Sequence, residues 1–136
     1  MRGLRLLYPN QFQVNEAWIA FKLNDAPIIT DRDGDFNMIA LMDAASCFIL
    51  STLSVSAMAV QLTELESKEL LKNGWIHKQE LPKTLIIPNH QVANLLQIEA
   101  ESQGITVVRV PEDQLMLFIG EARTGFKEHL GGSGMQ

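Results

Sequence analysis

Met38-Ile39-Ala40-Leu41-Met42-Asp43-Ala44-Ala45-Ser46-Cys47-Phe48-Ile49-Leu50 is the stretch that decides the fold. Two apolar runs of strand length flank Asp43-Ala44-Ala45-Ser46, a segment with turn chemistry because a short aspartate side chain can accept from backbone N–H groups just ahead of it. The pattern predicts an antiparallel hairpin with Asp43 capping its turn through an Asx-type bond. The runs are nearly continuous rather than alternating, so both faces of the sheet are expected to be covered, as by helices. A membrane span over 38–60 has the required length and only Asp43 as a charge. Ser46, Ser51, Thr52, Ser54 and Ser56 and the dividing turn favour the hairpin instead.

Working outward, Ala17 to Leu23 is aromatic and aliphatic and ends in the turn-forming Asn24-Asp25-Ala26-Pro27, which predicts a strand before the hairpin. Residues 1–16 read as an arm or short strand. Downstream, Thr63-Glu64-Leu65-Glu66 matches a capping box, so a helix is expected to Lys72, stopped by Asn73-Gly74. Pro82 to Ile87 reads as a buried strand ended by Pro88. Asn89 is placed to cap a helix carrying Val92, Leu95, Leu96 and Ala100 on one face and ending at Gly104. Ile105 to Val110 is β-branched and reads as a fifth strand. Pro111-Glu112-Asp113 then opens a helix whose stripe is Leu115, Phe118, Ile119, Ala122, Phe126 and Leu130. Gly120 and Gly125 are the places where that helix would bend. The expected class is α/β, a five-stranded mixed sheet with the element order βββαβαβα and helices packed on it. The domain spans 17–130 and 131–136 form a flexible tail.

Composition narrows the functional classes. With 46% hydrophobic and 20% charged residues the chain is globular, and its 136 residues suit one domain. The net charge is −5 and the 11 Lys and Arg are scattered, which disfavours nucleic acid as a partner. Cys47 is the only cysteine, in an apolar run where a thiol acts as a small core hydrophobe. Leu6-Leu7-Tyr8 is too short for a signal-peptide core, so the expected address is cytoplasmic, with no membrane association.

No local constellation carries a strong chemical signal. Asp31-Arg32-Asp33-Gly34-Asp35 lacks the glycine at the sixth and the glutamate at the twelfth position of a calcium loop, where Phe36 and Met42 stand. His77, His90 and His129 lack zinc-ligand spacing. Trp18 and Trp75 read as core or interface. Asn89 and His90 fall between the carboxyl end of a strand and a helix, where α/β folds bind ligands and backbone N–H groups favour anions, which makes them candidates for a small-anion site.

The order of elements resembles that of the ribonuclease H-like superfamily, and three strings resemble the retroviral-type integrase and transposase core within it. They are the hairpin above, Pro82-Lys83-Thr84-Leu85-Ile86-Ile87-Pro88-Asn89-His90, and Phe118-Ile119-Gly120-Glu121-Ala122-Arg123-Thr124-Gly125-Phe126-Lys127. The resemblance covers roughly residues 17–130. It implies a site of two Asp and one Glu holding divalent ions. The family's Trp-x-x-Asp falls on Trp18-Ile19-Ala20-Phe21, so a phenyl ring stands in the first acidic position. Asn89 stands in the second, and Glu121 alone is retained. The expectation is therefore a non-catalytic interaction or regulatory module, without cofactor, that contacts a protein partner or itself. One alternative is a divergent magnesium- or manganese-dependent nuclease or phosphoryl-transfer enzyme using Asp25, Asp43 and Glu121. Another is the small-anion domain centred on Asn89 and His90.

Overall fold

The computed structural model describes residues 5–32 and 34–134, with side chains as far as residue 129. Asp33 of the acidic link and Leu130 of the expected stripe thus lie outside the described side chains. Strands β1 (Ala17–Lys22), β2 (Phe36–Asp43) and β3 (Ile49–Ser56) come first. They are followed by α1 (Glu64–Lys78), β4 (Thr84–Pro88), α2 (Asn94–Ser102), β5 (Thr106–Val110) and α3 (Met116–Gly134). The observed order differs from the expected one in two short 3-10 turns, Pro9–Gln11 in the arm and Glu112–Leu115 ahead of α3. The backbone of α3 runs on through the glycines at 131, 132 and 134, the segment expected to be a tail.

The five strands form one mixed sheet in the order β3-β2-β1-β4-β5. β1 pairs antiparallel with β2, and β2 with β3, while β1, β4 and β5 run parallel. The hairpin is therefore as its sequence implies, and Asp43-Ala44-Ala45-Ser46 is its turn. No helix among the described residues is long and apolar enough to cross a membrane.

Both faces of the central strands are buried, and they sort by the two-residue period of a strand. Trp18, Ala20, Leu41, Leu85 and Ile87 pack against Leu70 and Leu71 of α1 and Leu96 and Ala100 of α2. Ala17, Ile19, Phe21, Ala40, Met42 and Ile86 pack against Leu115, Phe118 and Ile119 at the start of α3. Side chains of α1 and α2 thus cover one face and those of α3 the other.

Several expectations about the helices are corrected. α1 does not stop at Asn73-Gly74; it continues to Lys78, and Gln79 makes the left-handed exit at φ 61°. Gly74 is needed for a different reason. A Cβ there would stand 2.7 Å from Leu41 Cδ2 and 3.0 Å from Trp18 Cζ3, so it is the point of closest approach between α1 and the sheet. The Thr63 capping box forms as expected, with reciprocal bonds of 3.1 and 2.9 Å to Glu66. Asn89 does not cap α2, which begins at Asn94, and of its expected apolar face only Leu96 and Ala100 are buried while Val92 and Leu95 are exposed. Arg109 causes the delay. Its Nη1 donates to the carbonyls of Pro88 (3.0 Å) and Gln91 (2.7 Å), which holds 88–91 as a turn.

Candidate functional site

Parallel strands β1, β4 and β5 end at the same edge of the sheet, and the loops that leave them meet there. Such edges are where open α/β sheets bind ligands. Arg123 of α3 reaches across this edge and donates from Nε (3.0 Å) and Nη2 (2.9 Å) to the carbonyl of Lys22, the last residue of β1. The same guanidinium forks onto Glu112, which follows β5, at 3.1 and 3.3 Å. It also lies 3.7 Å from Asp25, which follows β1. Lys127, one turn further along α3, is 3.4 Å from the other Asp25 oxygen, and His90, which follows β4, is 3.5 Å from Glu112. The edge is thus closed by an ion-pair cluster around a largely buried arginine. The two-pronged fork onto the Glu112 carboxylate is among the strongest arrangements that a guanidinium makes.

The residues singled out in the sequence are not gathered at one point. Asp25 belongs to the arginine cluster. Asp43 lies at the opposite end of β1, opposite Trp18, and is fully buried. Its Oδ1 accepts from the Asn15 N–H at 2.7 Å, and its Oδ2 accepts from the Ser46 N–H (3.1 Å) and hydroxyl (2.7 Å). Asn15 in turn accepts the Trp18 indole N–H at 2.7 Å. This network ties the hairpin turn to the first strand, and Asn15 is a member that the local sequence pattern did not reveal.

Glu121 is exposed and lines a shallow groove of about 480 Å³ beside α3, with Leu23, Met42, Cys47 and Phe126. The Cys47 thiol is pushed above its ordinary value by burial, then by the nearby carboxylates of Glu121 and Asp43. A second, more enclosed cleft of about 300 Å³ opens on the α1 and α2 face. Phe21 and His90 border it, and Asn89 lines neither cavity. Phe21 is fully buried in the cluster under α3. The Asn89 N–H donates to the Val110 carbonyl at 2.7 Å. Asn89 and His90 do follow the carboxyl end of β4, but no helix starts at Asn89 to aim its N–H groups at an anion, and His90 sits beside a carboxylate. Among the described residues no group of three or more His, Cys, Asp or Glu side chains is arranged to hold a metal ion.

Arg123 stands two residues from Glu121 in the string that resembles the integrase core. At 100° per residue the two side chains leave α3 about 200° apart, so only one of them can face the strand ends. The i, i+4 spacing of Arg123 and Lys127 was the available signal, since it puts two cations on one helical face.

No family model matches the chain, and no curated protein matches it. A solved structure does: a chain in the cryo-EM structure of the simian T-cell lymphotropic virus intasome in complex with PP2A regulatory subunit B56 gamma. The TM-score is 0.51 and the identity 16%, over 78% of this chain and 36% of that one. The likeness is one of fold. This chain spans about a third of the length of the one it matches, at an identity too low to carry activity across.

Proposed function

We propose that this chain is a ribonuclease H-like domain that has given up metal-dependent catalysis and serves as a non-catalytic interaction or regulatory module. The strand order and the likeness to an intasome chain support the scaffold half of this reading. The observation that carries the other half is Arg123. A two-metal site needs several carboxylates converging on a small volume. Here the strand edge holds a guanidinium bound to the Lys22 carbonyl, and its carboxylates, Asp25 and Glu112, are already engaged as counter-ions. Phe21 and Asn89 supply no charge, and Glu121 faces a different groove. The residues present do not fit a pair of divalent ions.

The interaction half rests on exposed apolar side chains, with Met58 at 90% and Val60 at 79% exposure on the loop before α1. A protein partner in the cytoplasm fits this surface and the net charge of −5 better than a nucleic acid does. Titration with magnesium, and with manganese as a paramagnetic probe, tests the loss of catalysis through backbone amide resonances. The expected result is no saturable change at residues 21–25, 88–90, 112 and 121–123. Saturable binding centred on Asp25 and Glu112 at millimolar metal would overturn the proposal.

A further inference from the structure

The cleft on the α1 and α2 face has a composition unlike the rest of the molecule. Its floor is apolar, formed by Ile39, Val55, Leu62, Ile87 and Leu96. Its polar lining is Lys22, Asn37, Gln61, His90 and Gln91, and among the described residues no Asp or Glu lines it, although the chain has 16 of them. Lys22 is paired with Ile39, and Asn37 with Val55, across the sheet, so both polar residues stand on the same face as the floor. The cleft lies where that face runs past the beginnings of α1 and α2.

Two of the amides are one-sided in their hydrogen-bonding capacity. The Asn37 Oδ1 already accepts from the Asn24 Nδ2 at 2.9 Å, and the Gln61 Oε1 accepts from the Leu95 N–H at 3.0 Å. Each amide therefore keeps its NH₂ as the uncommitted end. The ammonium of Lys22 has no carboxylate partner among the described residues, whereas His90 is held beside Glu112 at 3.5 Å. What remains is one full positive charge, two amide donors, the side-chain amide of Gln91 and an apolar floor.

From this we infer that the cleft is a binding site for a small monocarboxylate with an aliphatic body. The head group would meet Lys22, Asn37 and Gln61, and the chain would lie on Ile39, Ile87 and Leu96. A single cation suits a monoanion better than a phosphate dianion, and the floor rewards an apolar tail. A volume of about 300 Å³ is at the small end of ligand pockets and suits a short acid. The site is on the face of the sheet opposite α3, so this inference stands apart from the loss of catalysis.

The test uses hexanoate as probe, with hexan-1-ol and inorganic phosphate as comparison ligands, followed by amide shifts of the full chain. Hexanoate is expected to shift residues 37, 39, 60–62, 87 and 91–93 saturably, and more tightly than either comparison ligand. Lys22→Met keeps the aliphatic stem and should weaken hexanoate about tenfold, the scale of a lost charge-assisted bond. Gln61→Glu keeps an oxygen for the Leu95 N–H but replaces the NH₂ donor with negative charge. It should abolish hexanoate binding and leave hexan-1-ol unchanged, a contrast that a misfolded variant could not give. Failure of hexanoate to saturate, equal binding of hexan-1-ol or phosphate, or unchanged hexanoate affinity in the Gln61→Glu variant would overturn the assignment.

Discussion

Gly74→Ala is the substitution for which the local pattern and the structure predict different physics. If Gly74 ended a helix in the left-handed region, alanine would be disfavoured by backbone strain alone, whatever its neighbours. In the structure Gly74 lies inside α1, where exchanging glycine for alanine gains about 1 kcal/mol of helix propensity. Against this stands a new methyl group 2.7 Å from Leu41 Cδ2, about 1 Å inside normal carbon contact. Trp18 cannot turn away from its 3.0 Å contact without losing the indole bond to Asn15. Overpacking of this kind costs about 1–3 kcal/mol, so the net expectation is a loss of about 1 kcal/mol, or about 4 °C in Tm. The decisive assay is a double-mutant cycle with Leu41→Ala, measured by urea unfolding. Once the Leu41 side chain is shortened, Gly74→Ala should become stabilising by up to about 1 kcal/mol. A cycle in which Gly74→Ala costs the same in both backgrounds would refute the close-approach argument and restore the helix-stop reading.

Two further outcomes follow from the buried groups. Asp43→Ala would leave the Asn15 N–H and the Ser46 N–H and hydroxyl without their acceptor, and should cost about 2–4 kcal/mol in chemical denaturation. A loss below about 0.5 kcal/mol, the scale of an ordinary surface change, would deny the network its structural role. The Cys47 thiol, raised by burial and by Glu121 and Asp43, stays protonated to higher pH than a free thiol, so its alkylation by iodoacetamide should be slow at neutral pH. Glu121→Gln removes one of the opposing charges, lowers the thiol pKa and should shift the rate profile to lower pH. An unshifted profile would separate Glu121 from Cys47.

The strands were legible because each is an apolar run closed by turn residues, and the hairpin pairing of Met38 to Leu50 follows from adjacency in sequence. What escaped was set by contacts distant along the chain. Asn73-Gly74 has the local signature of a helix stop, but the reason for the glycine is Leu41, which packs against it from β2. Asn89 has the signature of a cap, yet Arg109 on β5 fixes 88–91 as a turn, and Gln61 satisfies the Leu95 N–H at the start of α2 from 34 residues away. The candidate site divides in the same way. The role of Asp43 in its own turn could be read locally, while its bond to Asn15 could not. Asp25, Glu112 and Arg123 come from three separate segments, and their meeting depends on the parallel strand order.

That meeting bears on how such an edge can change its chemistry. The carbonyls at the ends of parallel strands draw positive charge, and a sheet can meet that demand with metal ions held by carboxylates or with a cation of its own. A tethered guanidinium needs no dense acidic cluster, because it donates directly to the Lys22 carbonyl and asks only for counter-ions. Here Asp25 and Glu112 are balanced by Arg123 and Lys127, two charges against two, so an incoming divalent ion would meet no excess of negative charge. Removing Arg123 alone would leave Lys127 on Asp25 and the apolar ring of Phe21 in place. Holding a divalent ion at this edge would therefore require added carboxylates as well as loss of both cations, and no single substitution leads there.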